Sequence, residues 1–152
     1  MSCTKYRIVV VWISILLIGS TPLAARQAVG GGQAKESDAS SVETVFSHIQ
    51  EGINASDVAS FSQYFVKQVS VSVSGIETGL YSATQAKLIL RDFLSVRKFT
   101  GFKFSTMNLR SGMRYATGGG LYMLRGTLYR FQIYVSLSSS GGRWVISQFN
   151  IY

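Results

Sequence analysis

Between Ser82 and Phe93 the chain spells one amphipathic helix, and from Phe99 to Tyr152 apolar residues recur at every second position instead. That change of period, from helical to alternating, restricts the fold more than any other feature. Ser82-Ala83-Thr84-Gln85 has the form of a capping box, in which the Ser hydroxyl and the Gln amide satisfy N–H groups that a first helical turn leaves unpaired. Ala86, Ile89, Leu90, Phe93 and Leu94 then share one stripe, as a helix lying on a sheet requires. A single capped helix followed by a long run of strands points to the α+β class.

Upstream, Ser40 and Glu43 form a second capping-box pair, followed by Val42, Val45, Phe46, Ile49 and Ile53 at helical spacing. Asp57 suits the N-cap of a short helix that turns Val58, Phe61, Tyr64 and Phe65 inward. Asn54-Ala55-Ser56 between them matches a glycosylation acceptor, but a tight interhelix turn uses the same residue types. Val69, Val71 and Val73 alternate with serines as a half-buried strand, Gly75 turns it, and Glu77 to Tyr81 returns. After the capped helix come Phe102 and Phe104, a turn at 110–112, and a strand from Met113 interrupted by Gly118, Gly119 and Gly120. The glycines sit inside a strand pattern with no Lys-Ser or Lys-Thr after them, which predicts a bulge or sheet bend rather than a phosphate loop. Arg125-Gly126 fits a hairpin turn, and Tyr129, Phe131, Ile133, Val135 and Leu137 make the longest apolar face. In the last strand the inward set changes from Trp144 and Ile146 to Phe149 and Ile151, which predicts a bulge at Ser147-Gln148. The expected order is α-α-β-β-α-β-β-β-β: three helices on a strongly curved antiparallel sheet, with no parallel crossover.

The first residues read as an export signal. Lys5 and Arg7 precede an uncharged apolar run, Ile8 to Ile18, and Gly19, Ser20, Pro22, Ala24 and Ala25 supply a small-residue end. The run is about half the ~20 residues of a membrane span, so residues 1–25 are expected to leave on export, to the periplasm or beyond, with no permanent span afterwards. Cys3 leaves with them, and the mature chain then has no thiolate, disulfide or cysteine metal site. Residues 26–41, rich in Gly, Ala, Ser and Gln, read as a flexible linker, and residues 42–152 as one domain. The net charge of +8 falls to about +6 without Lys5 and Arg7, and it is spread singly except at Arg97-Lys98. No basic run of the kind that binds nucleic acid appears.

Tyr81-Ser82, Gln85-Ala86, Ile89-Leu90 and Asp92-Phe93 in the third helix, Tyr115-Ala116 with Gly118, Tyr129-Arg130 and Ile151 carry a resemblance. Over roughly Val42 to Tyr152 the chain is similar to the nuclear transport factor two-like superfamily, the cone-shaped fold shared with ketosteroid isomerase and scytalone dehydratase. Within it the likeness is to an uncharacterised family of small exported bacterial domains common in Bacteroidetes. The chain departs from that pattern at Ala83, where a Lys is usual, and by extra residues around Gly119 to Leu121. The resemblance implies a curved sheet wrapping the third helix, an apolar cavity at the open end, and frequent homodimers through the outer sheet face. It implies no activity.

Enzymes of that fold that move protons need a base inside the cavity and a donor for the developing oxyanion. By phase, His48 lies well off its helix's apolar stripe and is expected in solvent. Asp92 is off-stripe too and, with Arg91 and Lys87 nearby, reads as a surface ion-pair partner, a pocket role being the alternative. No carboxylate or histidine occurs from Phe99 onward, so the expectation is no catalytic set, no metal site and no cofactor. A ligand pocket would draw on Phe102, Phe104, Met107, Met113, Tyr115, Tyr134 and Trp144, with Asp92 at its edge. Lys103, Arg114 and Arg130 beside Tyr134 would make a basic, aromatic outer face suited to a partner. The leading expectation is an exported, non-enzymatic domain binding an envelope partner or a small apolar ligand. The alternatives are a ketosteroid-isomerase-type enzyme using Asp92 and a tyrosine, and an obligate dimer with a structural role.

Overall fold

A computed structural model of the protein describes residues 31–152 apart from 76, 77 and 111. The expected export segment over 1–25 and the start of the expected linker lie outside the described residues. Three helices, α1 (Gly31–Asn54), α2 (Ala59–Ser62) and α3 (Ala83–Ser95), pack on seven strands: β1 (Phe65–Val73), β2 (Thr78–Ser82), β3 (Lys98–Phe99), β4 (Lys103–Asn108), β5 (Arg114–Leu124), β6 (Thr127–Ser140) and β7 (Arg143–Ile151). No helix among the described residues is long and apolar enough to cross a membrane.

The stripe Val42, Val45, Phe46, Ile49 and Ile53 is buried, as its spacing requires. The helix that carries it, however, starts at Gly31, so residues 31–41 are helical where composition suggested a linker. Ser40 therefore lies inside α1 and not at its cap. The reason is tertiary: Asp38, three turns from the core stripe's middle, is bonded to β5 and β7 side chains. At the other end Asn54 holds the backbone of Phe102, accepting from its N–H at 2.6 Å and donating to its C=O at 2.9 Å, and Gln50 accepts from the Phe104 N–H at 2.9 Å. These amides satisfy strand groups that no neighbouring strand reaches. The Asn54 side chain is thus a structural tie, whatever acceptor pattern surrounds it.

α2 begins one residue later than expected, with Val58 and not Asp57 as its N-cap and no side-chain cap. Asp57 instead accepts from the Ala59 N–H at 2.9 Å. The helix stops at Ser62, so that Tyr64 lies beyond it and Phe65 opens β1. Gly52 lets α2 approach α1, since a Cβ there would meet Ser60 Oγ at 2.3 Å and the Asp57 carbonyl oxygen at 2.7 Å. Phe61, fully buried, stacks on Phe149 with ring centroids 5.8 Å apart. On α3 the predicted box is complete: the Gln85 N–H donates to Ser82 Oγ at 3.3 Å and the Ser82 N–H to Gln85 Oε1 at 3.0 Å. Ala86, Leu90, Phe93 and Leu94 are buried and Ile89 half-buried, so the stripe is where the sequence put it.

The sheet runs β2-β1-β7-β6-β5-β3, with β4 also on β5. It is mixed, not purely antiparallel as expected, because β1 lies parallel to β7. Strands from opposite ends of the domain meet there, and such pairing carries no local signal in the chain. The short β3 is a further strand that two residues are too few to announce. The expected bulge in β7 is present, with pairing that skips Ser147 between Leu137–Ile146 and Ser136–Gln148. The glycine run behaves differently from expectation. β5 pairs residue for residue with β6 straight through Gly118–Gly120, and the bulge sits on β4, where Ser105 is skipped. Gly118 and Gly120 exist for closeness: an added Cβ would meet the Lys103 carbonyl oxygen at 2.3 Å and the Gly101 carbonyl oxygen at 2.6 Å, respectively.

Both late hairpins turn on pairs with positive φ, Arg125 (51°)-Gly126 (82°) and Gly141 (57°)-Gly142 (74°). Arg125 bears a Cβ in the left-handed region, which costs about 1 kcal/mol. Arg125→Asn is therefore expected to raise stability by roughly 0.5–1 kcal/mol, read as a shift of the urea midpoint at unchanged m-value. An unchanged or lower midpoint would contradict the strain.

Candidate functional site

The residues expected to line one apolar pocket are not brought together. Phe102 and Phe104 are buried core, Phe104 edge-on to Phe46 at 5.5 Å and Phe102 stacked on Phe131 at 5.7 Å. Phe93, Phe99 and Tyr122 continue the cluster, so aromatic rings fill the space between α3 and the sheet where a hollow was expected. Met107 and Met113 are exposed. Tyr115 and Tyr134 stack on each other at 5.7 Å on the outer face, away from the helices. Asp92 is exposed and pairs with Arg91 at 3.0 Å, a contact worth little in solvent.

The expected outer face also changes membership. Lys103 and Arg130 are exposed and share strand phase with Gly119 and Leu121, on the outside. Arg114 has the opposite phase, in line with Ala116 and Gly118, and reaches the inner side of the sheet. The physical reason is that the middle of β5 shows small residues inward, Ala116, Gly118 and Gly120, between Arg114 and Tyr122, while Tyr115 and Leu121 face outward, which inverts the usual reading of a strand.

Of the pocket candidates, Trp144 lines a cleft of about 360 Å³ on the inner side of the sheet. Its walls are Ser41, Thr44 and Val45 of α1, Gln63 and Tyr64 at the α2–β1 junction, and Gly142 to Val145 at the start of β7. Trp144 is fixed from behind. Its indole Nε1–H donates to Asp38 Oδ1 at 2.7 Å, while Arg114 Nη2 donates to Asp38 Oδ2 at 2.5 Å and the guanidinium lies 4.0 Å from the indole ring centre. A cation over the face and a carboxylate at the edge hold a ring in one orientation. Beside it Tyr64 Oη and His48 Nδ1 are 2.6 Å apart with their rings stacked. His48 is half-buried as a result, and not free in solvent as its helical phase suggested.

Asp38→Ala leaves the Arg114 guanidinium, only 12% exposed and with Nε already unpaired among the described residues, without its counter-charge. The expected cost is about 1–2 kcal/mol, below that of a fully buried pair because Asp38 is partly solvated. Trp144 emission should shift to the red as the ring loosens; an unchanged spectrum and midpoint would show that the clasp does not hold it. Among the described residues no three His, Cys, Asp or Glu side chains gather as metal ligands do.

Two parts of this site escape sequence reasoning. Asp38 lies in a stretch dismissed on composition, although an acid in a Gly/Ser/Ala segment of a basic chain was a usable hint. The His48–Tyr64 contact joins two elements and has no sequence signal at all.

A family model described as Domain of unknown function (DUF4783) matches residues 46–152. No curated protein matches the chain. A DUF4783 family protein from Bacteroides ovatus is 15% identical, with 68% of this chain and 90% of that one covered at a TM-score of 0.58. One from Bacteroides uniformis is 14% identical over 69% and 93%, at 0.60. A ketosteroid isomerase-like protein from Erwinia carotovora atroseptica is 10% identical over 75% and 94%, at 0.61. At these identities the structures establish the fold, the cone-shaped nuclear transport factor two-like one.

Proposed function

The chain belongs to the DUF4783 family, and from that premise we propose that it is an exported, non-enzymatic domain whose Trp144 cleft binds a small, largely apolar ligand. The observation that carries this is the contrast between the two candidate spaces. Beneath α3 the cone is packed with phenylalanines, whereas the α1–β7 cleft stays open and presents an indole clamped by Asp38 and Arg114. Its volume falls within the range of small-molecule sites, and its polar groups, Ser41, Thr44, Gln63, Tyr64 and Arg143, suit the orienting role such groups play. Lys5, Arg7 and the run Ile8–Ile18 support export.

Trp144 is the sole tryptophan outside the expected export segment, so ligand binding reads directly in its emission. Native mass spectrometry of the mature protein from its host is expected to show a chain cleaved after Ala24 or Ala25 and a retained small molecule, released on denaturation and lost in Trp144→Ala. A ligand-free protein whose emission does not respond to apolar compounds would count against the reading.

One observation favours a second reading, an acid–base enzyme of the kind for which the fold is known. Tyr64 lines the cleft with His48 bonded to its hydroxyl, and the pair has the parts of a base and a phenol donor, roles that exposed Asp92 is badly placed to fill. Turnover of an enolisable ketone, abolished in both His48→Gln and Tyr64→Phe, would establish it.

A further inference from the structure

The outer sheet face carries a second pattern that the cleft does not use. Register places Thr106, Thr117, Tyr134, Asn150, Ser72 and Thr78 in one row across six strands. The neighbouring row is Asn108, Tyr115, Ser136, Gln148, Ser70 and Leu80. In a chain of net charge +8 neither row holds a single Asp, Glu, Lys, Arg or His. Apart from Leu80 at the β2 end, the rows consist of hydroxyls, amides and two phenols, and Tyr115 stacks on Tyr134 where they meet. A groove of about 330 Å³ lies between Tyr134 and Tyr152, with Gln132, Thr117 and Ser105 along it. Beside it Asn150 is only 7% exposed; its Nδ2 donates to Tyr152 Oη at 3.0 Å, and its Oδ1 has no hydrogen-bond partner among the described residues.

We infer that this face binds a neutral polysaccharide. A sugar ring offers an apolar C–H face to a tyrosine and a rim of hydroxyls that both donate and accept, which is the complement of phenol rings set among amides and hydroxyls. Rows cross strands spaced about 4.8 Å apart, close to the advance of a glycan per residue, so successive sugars meet successive strands. Lys103 and Arg130 stand on the same face beyond the groove, but no charge stands within the two rows, and an anionic polymer is recognised by counter-charges, not hydroxyls. The same composition disfavours a second copy of this chain: the core of a stable dimer interface is apolar and depleted in serine, whereas burying these rows would strand many hydroxyls. The unpaired Asn150 Oδ1 beside the groove is a spare acceptor of the kind a sugar hydroxyl satisfies. The cleft at Trp144 lies on the other side of the sheet, so this site stands or falls independently of it.

Affinity electrophoresis of the mature protein tests the inference, with dextran, α-mannan or hydroxyethyl cellulose cast in the gel and polygalacturonate as the anionic comparison. Retardation by at least one neutral polymer, unchanged by added salt, is expected, and Tyr134→Ala and Tyr152→Ala should each weaken it tenfold or more. Gln132→Ala, at an exposed position, should weaken it severalfold with an unaltered melting curve, which separates lost binding from lost folding. Retardation by polygalacturonate alone would overturn the inference, as would none by any polymer. A homodimer in native mass spectrometry that dissociates on Tyr134→Ala would overturn it too, by giving the face to a second copy.

Discussion

Gly118→Val is expected to destabilise the protein by about 3 kcal/mol or more, which for a domain of this size lowers the melting temperature by on the order of 10 °C. An added Cβ would sit 2.3 Å from the Lys103 carbonyl oxygen and 2.7 Å from Phe104 Cα. Both are backbone atoms, so no side-chain rotation relieves the clash and β4 must leave β5. Separation would also strain the ties from Gln50 and Asn54 to the Phe104 and Phe102 backbone and uncover the rings between α1 and the sheet. Gly119, of opposite phase, meets nothing closer than the Phe131 carbonyl oxygen at 3.2 Å, and Gly119→Ala should cost far less. Equal stability of the two variants, measured by chemical denaturation, would refute the placement of β4.

Truncating Phe61 is the second large effect. The ring is fully buried, stacked on Phe149 and edge-on to Phe65 at 6.0 Å, so Phe61→Ala is expected to cost about 3–5 kcal/mol through lost burial and the cavity left behind. Its consequence reaches the cleft. Phe61 anchors α2, and α2 positions Gln63 and Tyr64 on the cleft wall, so ligand response at Trp144 should weaken along with stability. Phe61→Leu keeps most of the volume and should recover both in part. Loss of stability with an intact Trp144 response would separate the cleft from α2.

How much was legible differs between elements for identifiable reasons. The capping box at Ser82, the α3 stripe, the valine strand and the β7 bulge at Ser147 were all readable, because each depends on residues within one turn or one pleat of each other. The site was much less so. Tyr115 is expected as pocket lining because large apolar side chains normally mark the inward face. In the middle of β5 that rule inverts, since the passing backbone at Gly101 to Phe104 and the Phe131 ring leave no room for a side chain at Gly118 and Gly120. Tyr134 on β6 is simply of the phase opposite to buried Ile133 and Val135. Arg114 is expected outside by the rule that puts Tyr115 inside, and it lies on the inside, holding Trp144 by way of Asp38.

From the residues alone came the α+β class, one domain without cysteine in its expected mature form, and the phase of most elements, all of them consequences of short-range periodicity and capping. The tertiary structure decided which strand lies parallel beside β7, how far α1 extends, and that the cone's interior is filled while a cleft opens elsewhere. Those outcomes depend on side chains as far apart in the chain as Asp38 and Trp144. Contacts of that span leave no periodic trace, because what selects them is the close packing of the folded chain.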